Sequence, residues 1–101
     1  MNKRFIRTDE YMNKLFIDAF SGDRQVHQDA EIEIKYDWNK DKLRAWCPMS
    51  NTWLQFPNAL RTKSGKNYTA DVIEMKHEGR ETFYRVVKGS IRNKGSDIVV
   101  G

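Results

Sequence analysis

The sequence predicts a small α+β domain in which one N-terminal helix packs on a mostly antiparallel meander sheet of five or six strands. An apolar stripe with helical spacing is followed by a segment in which apolar and charged residues alternate. Polar or glycine-containing turns then separate several further strand-like segments. A helix on one face of such a sheet forms a two-layer sandwich, whereas strong curling forms a small barrel, and the sequence leaves both open.

The predicted helix occupies residues 8–21. Thr8 is a capping residue, and Asp9 and Glu10 place negative charge in the first turn, where it interacts favourably with the helix dipole. Apolar residues follow at i, i+4 and i+8 spacing. Gly22 accepts the left-handed conformation that commonly ends helices, so the helix is expected to stop there.

Apolar and charged residues that alternate with a period of two predict the first strand over residues 30–38. The same alternation places Tyr36 and Trp38 in the core with two isoleucines. A basic, glycine-containing segment at residues 61–67 predicts an exposed loop. The other predicted strands cover residues 43–47, 52–56, 68–76, 81–88 and a short edge strand at 97–100.

The length and the charge distribution limit the class of protein. A chain of 101 residues without a long linker indicates one domain over residues 1–101. Residues 1–37 carry six Lys/Arg against eight Asp/Glu, net −2, whereas residues 38–101 carry twelve against six, net +6. This asymmetry favours an anionic partner. The apolar runs are too short to span a membrane, and the basic start is followed by acidic residues where a signal peptide would be apolar. A single cysteine cannot form an internal disulfide. We therefore expect a cytoplasmic protein without a membrane partner.

The sequence contains few of the motifs that indicate an enzyme or a metal site. Cys47, His27 and His77 are too few for a structural zinc site, and the phosphate-binding glycine motifs are absent. Glu33-Ile34-Lys35 has the acid–x–lysine order of metal-dependent nucleases, but the separate aspartate that this chemistry needs is not evident. We therefore expect a non-enzymatic protein without a cofactor or a metal ion.

Basic residues interleaved with aromatic residues on predicted strands favour binding of nucleic acid, single-stranded in particular. Surfaces of this kind neutralise phosphates with cations and stack bases on aromatic rings. Trp46 is the aromatic residue expected on the outer side of its strand, because it shares a face with Arg44. The predicted contact residues are Arg44, Trp46, Arg61, Lys63, Lys66, Arg85, Lys88 and Arg92.

A compact protein-binding inhibitor or adaptor is the alternative interpretation. Tyr, Trp, Arg and Met are enriched in interface cores and are well represented in this chain. Such a module would bind an acidic protein surface. Small motif-free domains of this kind are often encoded by phages and other mobile elements and block a host enzyme. The edge strand at residues 97–100 would also allow a homodimer by strand pairing.

Overall fold

A computed structural model describes residues 4–20, 23–56, 60, 62–76 and 81–100, which form a curled, mostly antiparallel half-barrel with little helix. The predicted combination of one N-terminal helix with five or six mostly antiparallel strands is confirmed. The elements are helix α1 (Asp9–Phe20) and strands β1 (Asp23–Asp37), β2 (Lys42–Cys47), β3 (Thr52–Trp53), β4 (Gly65–Lys76), β5 (Phe83–Val86) and β6 (Arg92–Asn93).

The strand order is β3-β2-β1-β4-β5, with β6 paired to β4. This order departs from the predicted meander, because β4 pairs with the free edge of β1 and not with β3. The reason is the length of β1, which has 15 residues and begins at Asp23 instead of residue 30. Its first half pairs with the end of β4, and its second half pairs with β2 as well as with the start of β4.

The sheet curls so that Gln55, two residues after β3, reaches β5 through an isolated bridge to Arg85. The backbone N–H of Gln55 donates to the carbonyl of Tyr84 at 2.7 Å, and the N–H of Val86 donates to the carbonyl of Gln55 at 2.9 Å. A bulge in β1 between His27 and Ala30, with Asp29 at φ 55°, bends the strand. The inside of the half-barrel holds the main core of buried side chains: Ala30, Ile32, Ile34, Ala45, Cys47, Leu54, Ala70, Val72, Val86 and Ile91.

Helix α1 covers part of the outer face of this sheet. The Thr8 hydroxyl accepts a hydrogen bond from the backbone N–H of Tyr11 at 3.1 Å, which confirms the predicted cap. Leu15 is buried, and the Tyr11 hydroxyl reaches Asp71 of β4. The outer face is therefore divided into a half covered by α1 and an open half. None of the helices in the described part of the chain has the length and apolar character needed to cross a bilayer.

Several local predictions need correction. Tyr36 and Trp38 are 36% and 85% exposed instead of buried, because the strand ends at Asp37 and the chain turns away from the core. Lys66 lies in β4, which begins at Gly65, so the basic loop is shorter than predicted. Residues 97–100 form isolated bridges instead of a strand. The predicted helix end at 21–22 and the turn at 77–80 lie outside the described residues.

Candidate nucleic-acid interface

The open half of the outer face carries two tryptophans and two cations on three adjacent strands. Lys35 of β1 lies opposite Arg44 of β2, and Trp46 of β2 lies opposite Trp53 of β3. Because alternate residues of a strand share a face, these four side chains project to the same side of the sheet. We refer to these four residues as the Trp–cation cluster.

Close contacts between rings and cations hold the side chains of the Trp–cation cluster together. The Lys35 Nζ atom lies 4.3 Å from the centroid of the Trp46 ring and 5.3 Å from that of Trp53. The Arg44 guanidinium carbon lies 5.1 Å from the Trp53 centroid. The two indoles meet edge to face with centroids 5.1 Å apart, an arrangement that the ring quadrupoles favour. All four side chains are half-buried, so the cluster is only partly open to a ligand.

Two carboxylates balance the charge of this cluster. Arg44 donates to the Asp37 carboxylate at 2.8 Å, and this hydrogen bond lowers the pKa of Asp37 against the opposing effect of burial. Glu33 lies opposite Trp46 on the same face. The formal charges of Lys35 and Arg44 are thereby offset by those of Glu33 and Asp37. Attraction for phosphate must therefore come from cations beside the cluster.

Such cations surround the tip of the β1–β2 hairpin. Lys40 and Lys42 are exposed, and neither forms a salt bridge with a carboxylate of the described residues. Trp38 projects from the same tip and meets the half-exposed Tyr36 edge to face, with centroids 4.6 Å apart. We refer to Tyr36, Trp38, Lys40 and Lys42 as the hairpin tip. It combines a ring available for stacking with cations whose charge is not offset by contacts within the described part of the molecule.

The structure distributes the predicted contact residues unevenly. Arg44 and Trp46 lie together in the Trp–cation cluster, whereas Arg61 lies outside the described residues. The side chain of Arg92 is buried, and its guanidinium donates to Asp29 and to the carbonyl of Ser90. The four remaining predicted residues are all exposed, namely Lys63, Lys66, Arg85 and Lys88.

Sequence reasoning missed Trp38, which is the most exposed of the large hydrophobic residues that the structure describes. It also left Lys35 and Trp53 out of the predicted contact set. The signal that could have identified Trp38 is its position directly before the polar turn Asn39-Lys40, where a strand is expected to end.

A second polar cluster lies beneath α1 in the covered half of the outer face. Arg7 donates to Asp29 at 2.8 Å and to Asp71 at 3.0 Å, and Arg92 donates to Asp29 at 2.7 Å. Tyr11 donates its hydroxyl to Asp71 at 2.7 Å. The hydrogen bond from Arg7 holds the pKa of Asp29 below its usual value, and burial together with Asp71 raises the pKa of Tyr11. We refer to these five residues as the Asp71 network.

A third group joins β1, β4 and β5. Glu74 accepts a hydrogen bond from the Tyr84 hydroxyl at 3.0 Å and lies 3.4 Å from His27 Nε2. Burial alone would raise the pKa of Glu74, but these two contacts together with the charge of Lys76 outweigh it, and the pKa lies below its usual value. His27, predicted to lie in a loop, is instead a half-buried strand residue. No group of three or more His, Cys, Asp or Glu side chains in the described ranges is arranged to hold a metal ion.

The fold and this surface define a small, mostly antiparallel β-protein with one aromatic and basic side. Comparisons of the chain with protein-family models, with curated proteins and with solved structures found no match.

Proposed function

We propose that this chain is a non-enzymatic binding protein that contacts single-stranded nucleic acid through the hairpin tip and the adjoining Trp–cation cluster. The observation that carries the proposal is the exposure of Trp38 beside Lys40 and Lys42. An indole left in water gains little from its own fold, whereas stacking of a base on it contributes about 1–3 kcal/mol. Among the described residues, the hairpin tip is the place where such a ring and uncompensated cations occur together.

The backbone of the nucleic acid would run from the hairpin tip across exposed cations. Arg85 lines the same cavity as Lys40 and Lys42, so these three cations lie on one side of the half-barrel. Arg61, Lys63, Lys66 and Lys88 are proposed as further phosphate contacts on the grounds of charge. Arg44 and Trp46 would support this surface by holding Trp53 and Lys35 in place, and Arg92 is not included because it is buried.

The test is a fluorescence-anisotropy titration of labelled single-stranded and duplex DNA and RNA at two salt concentrations. We expect Trp38→Ala to weaken single-strand binding by about 1–3 kcal/mol. The double variant Lys40→Gln/Lys42→Gln should reduce the dependence of log K on log salt by about 1.4, since each phosphate contact on a single strand contributes roughly 0.7. Met49→Ala is the matched control, because Met49 is also a large exposed apolar residue, 74% exposed, but lies in a different turn.

Two results would contradict this proposal. One is the absence of binding to any of the four nucleic acids at low salt. The other is binding that Trp38→Ala and Met49→Ala weaken equally, because the loss would then reflect general surface apolarity and not stacking at the hairpin tip.

A protein partner is the second candidate function, and the scattered exposed apolar side chains favour it. Trp38, Met49 and Ile6 are all exposed, and such residues serve as anchors in protein interfaces. The partner would present an acidic surface to the basic side of this chain, and a host enzyme blocked by this chain as an inhibitor is the case we propose. Affinity capture compared between the natural chain and Trp38→Ala tests this function.

A homodimer is a further proposal. Residues 97–100 would have to give up the bridges that Ile98 and Val99 make to Arg4 and Arg92 before they could pair with a second copy. Sedimentation velocity over a range of protein concentrations distinguishes a monomer from such a dimer.

A further inference from the structure

We propose that the cavity between β2 and the segment 54–56 binds a small organic anion with an apolar body, of the chemical class of a fatty-acid carboxylate. The cavity has a volume of about 370 Å³. The cavity shares Lys40, Lys42 and Arg85 with the surface proposed for nucleic acid, but neither Trp38 nor Trp46 lines it. The proposal does not rest on nucleic-acid binding, because the cavity and its lining would be the same without it.

The wall of the cavity is made by side chains of the core. Leu54 is fully buried, and Leu43, Phe56 and Leu60 pack against the core while remaining partly exposed. An apolar ligand body in this position would be removed from water on several sides, and burial of apolar surface is the main favourable contribution to such binding. The wall therefore selects for an apolar ligand body.

The rim of the cavity is cationic. Lys40, Lys42, Arg44 and Arg85 line it, and no described Asp or Glu does. Arg44 is already bonded to Asp37, whereas the other three cations form no salt bridge within the described ranges. An anionic head group at the rim would therefore meet uncompensated positive charge. A neutral ligand would gain less from this rim than an anion, and a cationic ligand would be repelled.

The size of the cavity fits a small ligand. Sites for small molecules commonly measure about 300–1,000 Å³ and combine apolar walls with a few charged or polar groups that fix orientation. This cavity lies at the lower end of that range, which favours a short apolar chain with one acidic head over a complete phospholipid.

The experiment is an NMR titration of the full chain, labelled with ¹⁵N, with decanoate, decanol and decylammonium as matched probes. We expect saturable shifts for decanoate at the backbone amides of Leu43, Leu54 and Arg85. Decanol should bind about tenfold more weakly and decylammonium more weakly still, since a charge-assisted contact contributes about 1.4 kcal/mol or more. Vesicles containing an anionic phospholipid form a further arm and should leave these amides unperturbed.

Variants connect the binding to this cavity. Lys42→Gln/Arg85→Gln should weaken decanoate binding by about fivefold, because two partly exposed charge contacts are lost. Lys63→Gln/Lys88→Gln removes the same formal charge away from the cavity and should leave the affinity unchanged. Four results would each overturn the proposal. They are equal binding of decanoate and decanol, shifts at other amides, no saturation by decanoate, and equal loss of affinity in both double variants. All these substitutions are at exposed or rim positions, so folding is retained and is checked by the same spectra.

Discussion

The two halves of the outer face use the same kinds of side chain in opposite ways. In the covered half, Arg7 and Arg92 are bonded to two aspartates beneath α1. In the open half, Lys35 and Arg44 lie over indole rings and remain half-exposed. The covered half therefore fixes the N-terminal segment to the sheet, whereas the open half keeps cations and rings at the surface.

Coverage by the helix explains this difference. Where α1 removes water from the sheet, a charge needs an opposite charge and hydrogen bonds, because an isolated buried ion is strongly destabilising. Asp71 meets this requirement, since it is 0% exposed and accepts hydrogen bonds from Arg7, Tyr11 and the backbone N–H of Asp29. In the open half, Lys35 lies over two rings without a salt bridge to a described carboxylate, whereas Arg44 lies over Trp53 and also donates to Asp37. A cation that keeps part of its hydration over a ring is stabilised with less need for an opposite charge.

The largest effect is expected from removing the charge at the centre of the covered half. Asp71→Asn keeps the shape of the side chain but leaves Arg7 and Arg92 with Asp29 alone. Breaking a buried pair in this way costs about 3–5 kcal/mol in the free energy of unfolding. Urea denaturation of the natural chain and of Asp71→Asn measures this loss in the free energy of unfolding.

Asp41→Asn is the matched control for that measurement. Asp41 is exposed in a turn at φ 52°, a conformation that asparagine also accepts, so the change should stay within about 0.5 kcal/mol. A cost below about 1 kcal/mol for Asp71→Asn would show that the covered half does not depend on paired charge.

The second prediction concerns Tyr11 and alkaline pH. Tyr11→Phe removes a hydrogen bond to a carboxylate and should cost about 1.5–3 kcal/mol at neutral pH. Burial and Asp71 raise the pKa of Tyr11 above its ordinary value, so its contribution is present below about pH 10 and is lost as the pH rises further. The stability difference between the natural chain and Tyr11→Phe should therefore be constant at neutral pH and shrink above about pH 10.

Urea titrations at several pH values from neutral to strongly alkaline test this dependence. Tyr84→Phe is the comparison variant, because Tyr84 donates to Glu74 in a different part of the sheet and its pKa is raised by burial and by Glu74. A difference for Tyr11→Phe that stays constant through the alkaline range would contradict the assigned hydrogen bond.

The third prediction is an acid dependence at the border of the covered half. The hydrogen bonds from Arg7 and Arg92 keep the pKa of Asp29 below its usual value. Its contribution is therefore present above the ordinary aspartate pKa and is lost as the pH falls through the lowered value. Because the Asp29 side chain is 55% exposed, screening limits the effect of Asp29→Asn to about 1 kcal/mol.

Asn at position 29 also accepts the positive φ of Asp29 in the β1 bulge, so Asp29→Asn tests the effect of the charge without adding backbone strain. Thermal unfolding of both proteins between neutral and acidic pH should show the two stabilities converging at low pH. A stability difference that grows on acidification would have the wrong sign for this assignment.

The local elements of this fold were predictable because their determinants are local. The cap at Thr8 and the hairpin formed by β1 and β2 depend on residues close together in the chain, and both predictions are confirmed. The first half of β1 was missed because the bulge at Asp29 interrupts the alternation and the segment 23–29 is mostly polar. Trp38 was misplaced because alternation was continued one residue past the end of the strand.

The division of the outer face could not be predicted from the sequence. Arg7 and Asp71 are 64 residues apart, and Arg92 and Asp29 are 63 apart, so nothing local distinguishes these arginines from those at the surface. Arg92 was predicted as a contact residue on the same grounds as Arg85. Only the path of β6 beside β4 places it beneath the helix side of the sheet.

The smallest effect is expected in the open half, from Lys35→Gln. This substitution removes the cation over Trp46 and Trp53 without removing a carboxylate partner, and a half-exposed cation–π contact contributes about 0.5–1 kcal/mol. Lys76→Gln on β4, exposed and without a described aromatic contact, should change stability by less. Tryptophan emission should shift for Lys35→Gln alone, since the charge near the two indoles changes. If Lys35→Gln costs as much as Asp71→Asn, the contrast between a paired, buried half and a solvated, stacked half does not hold.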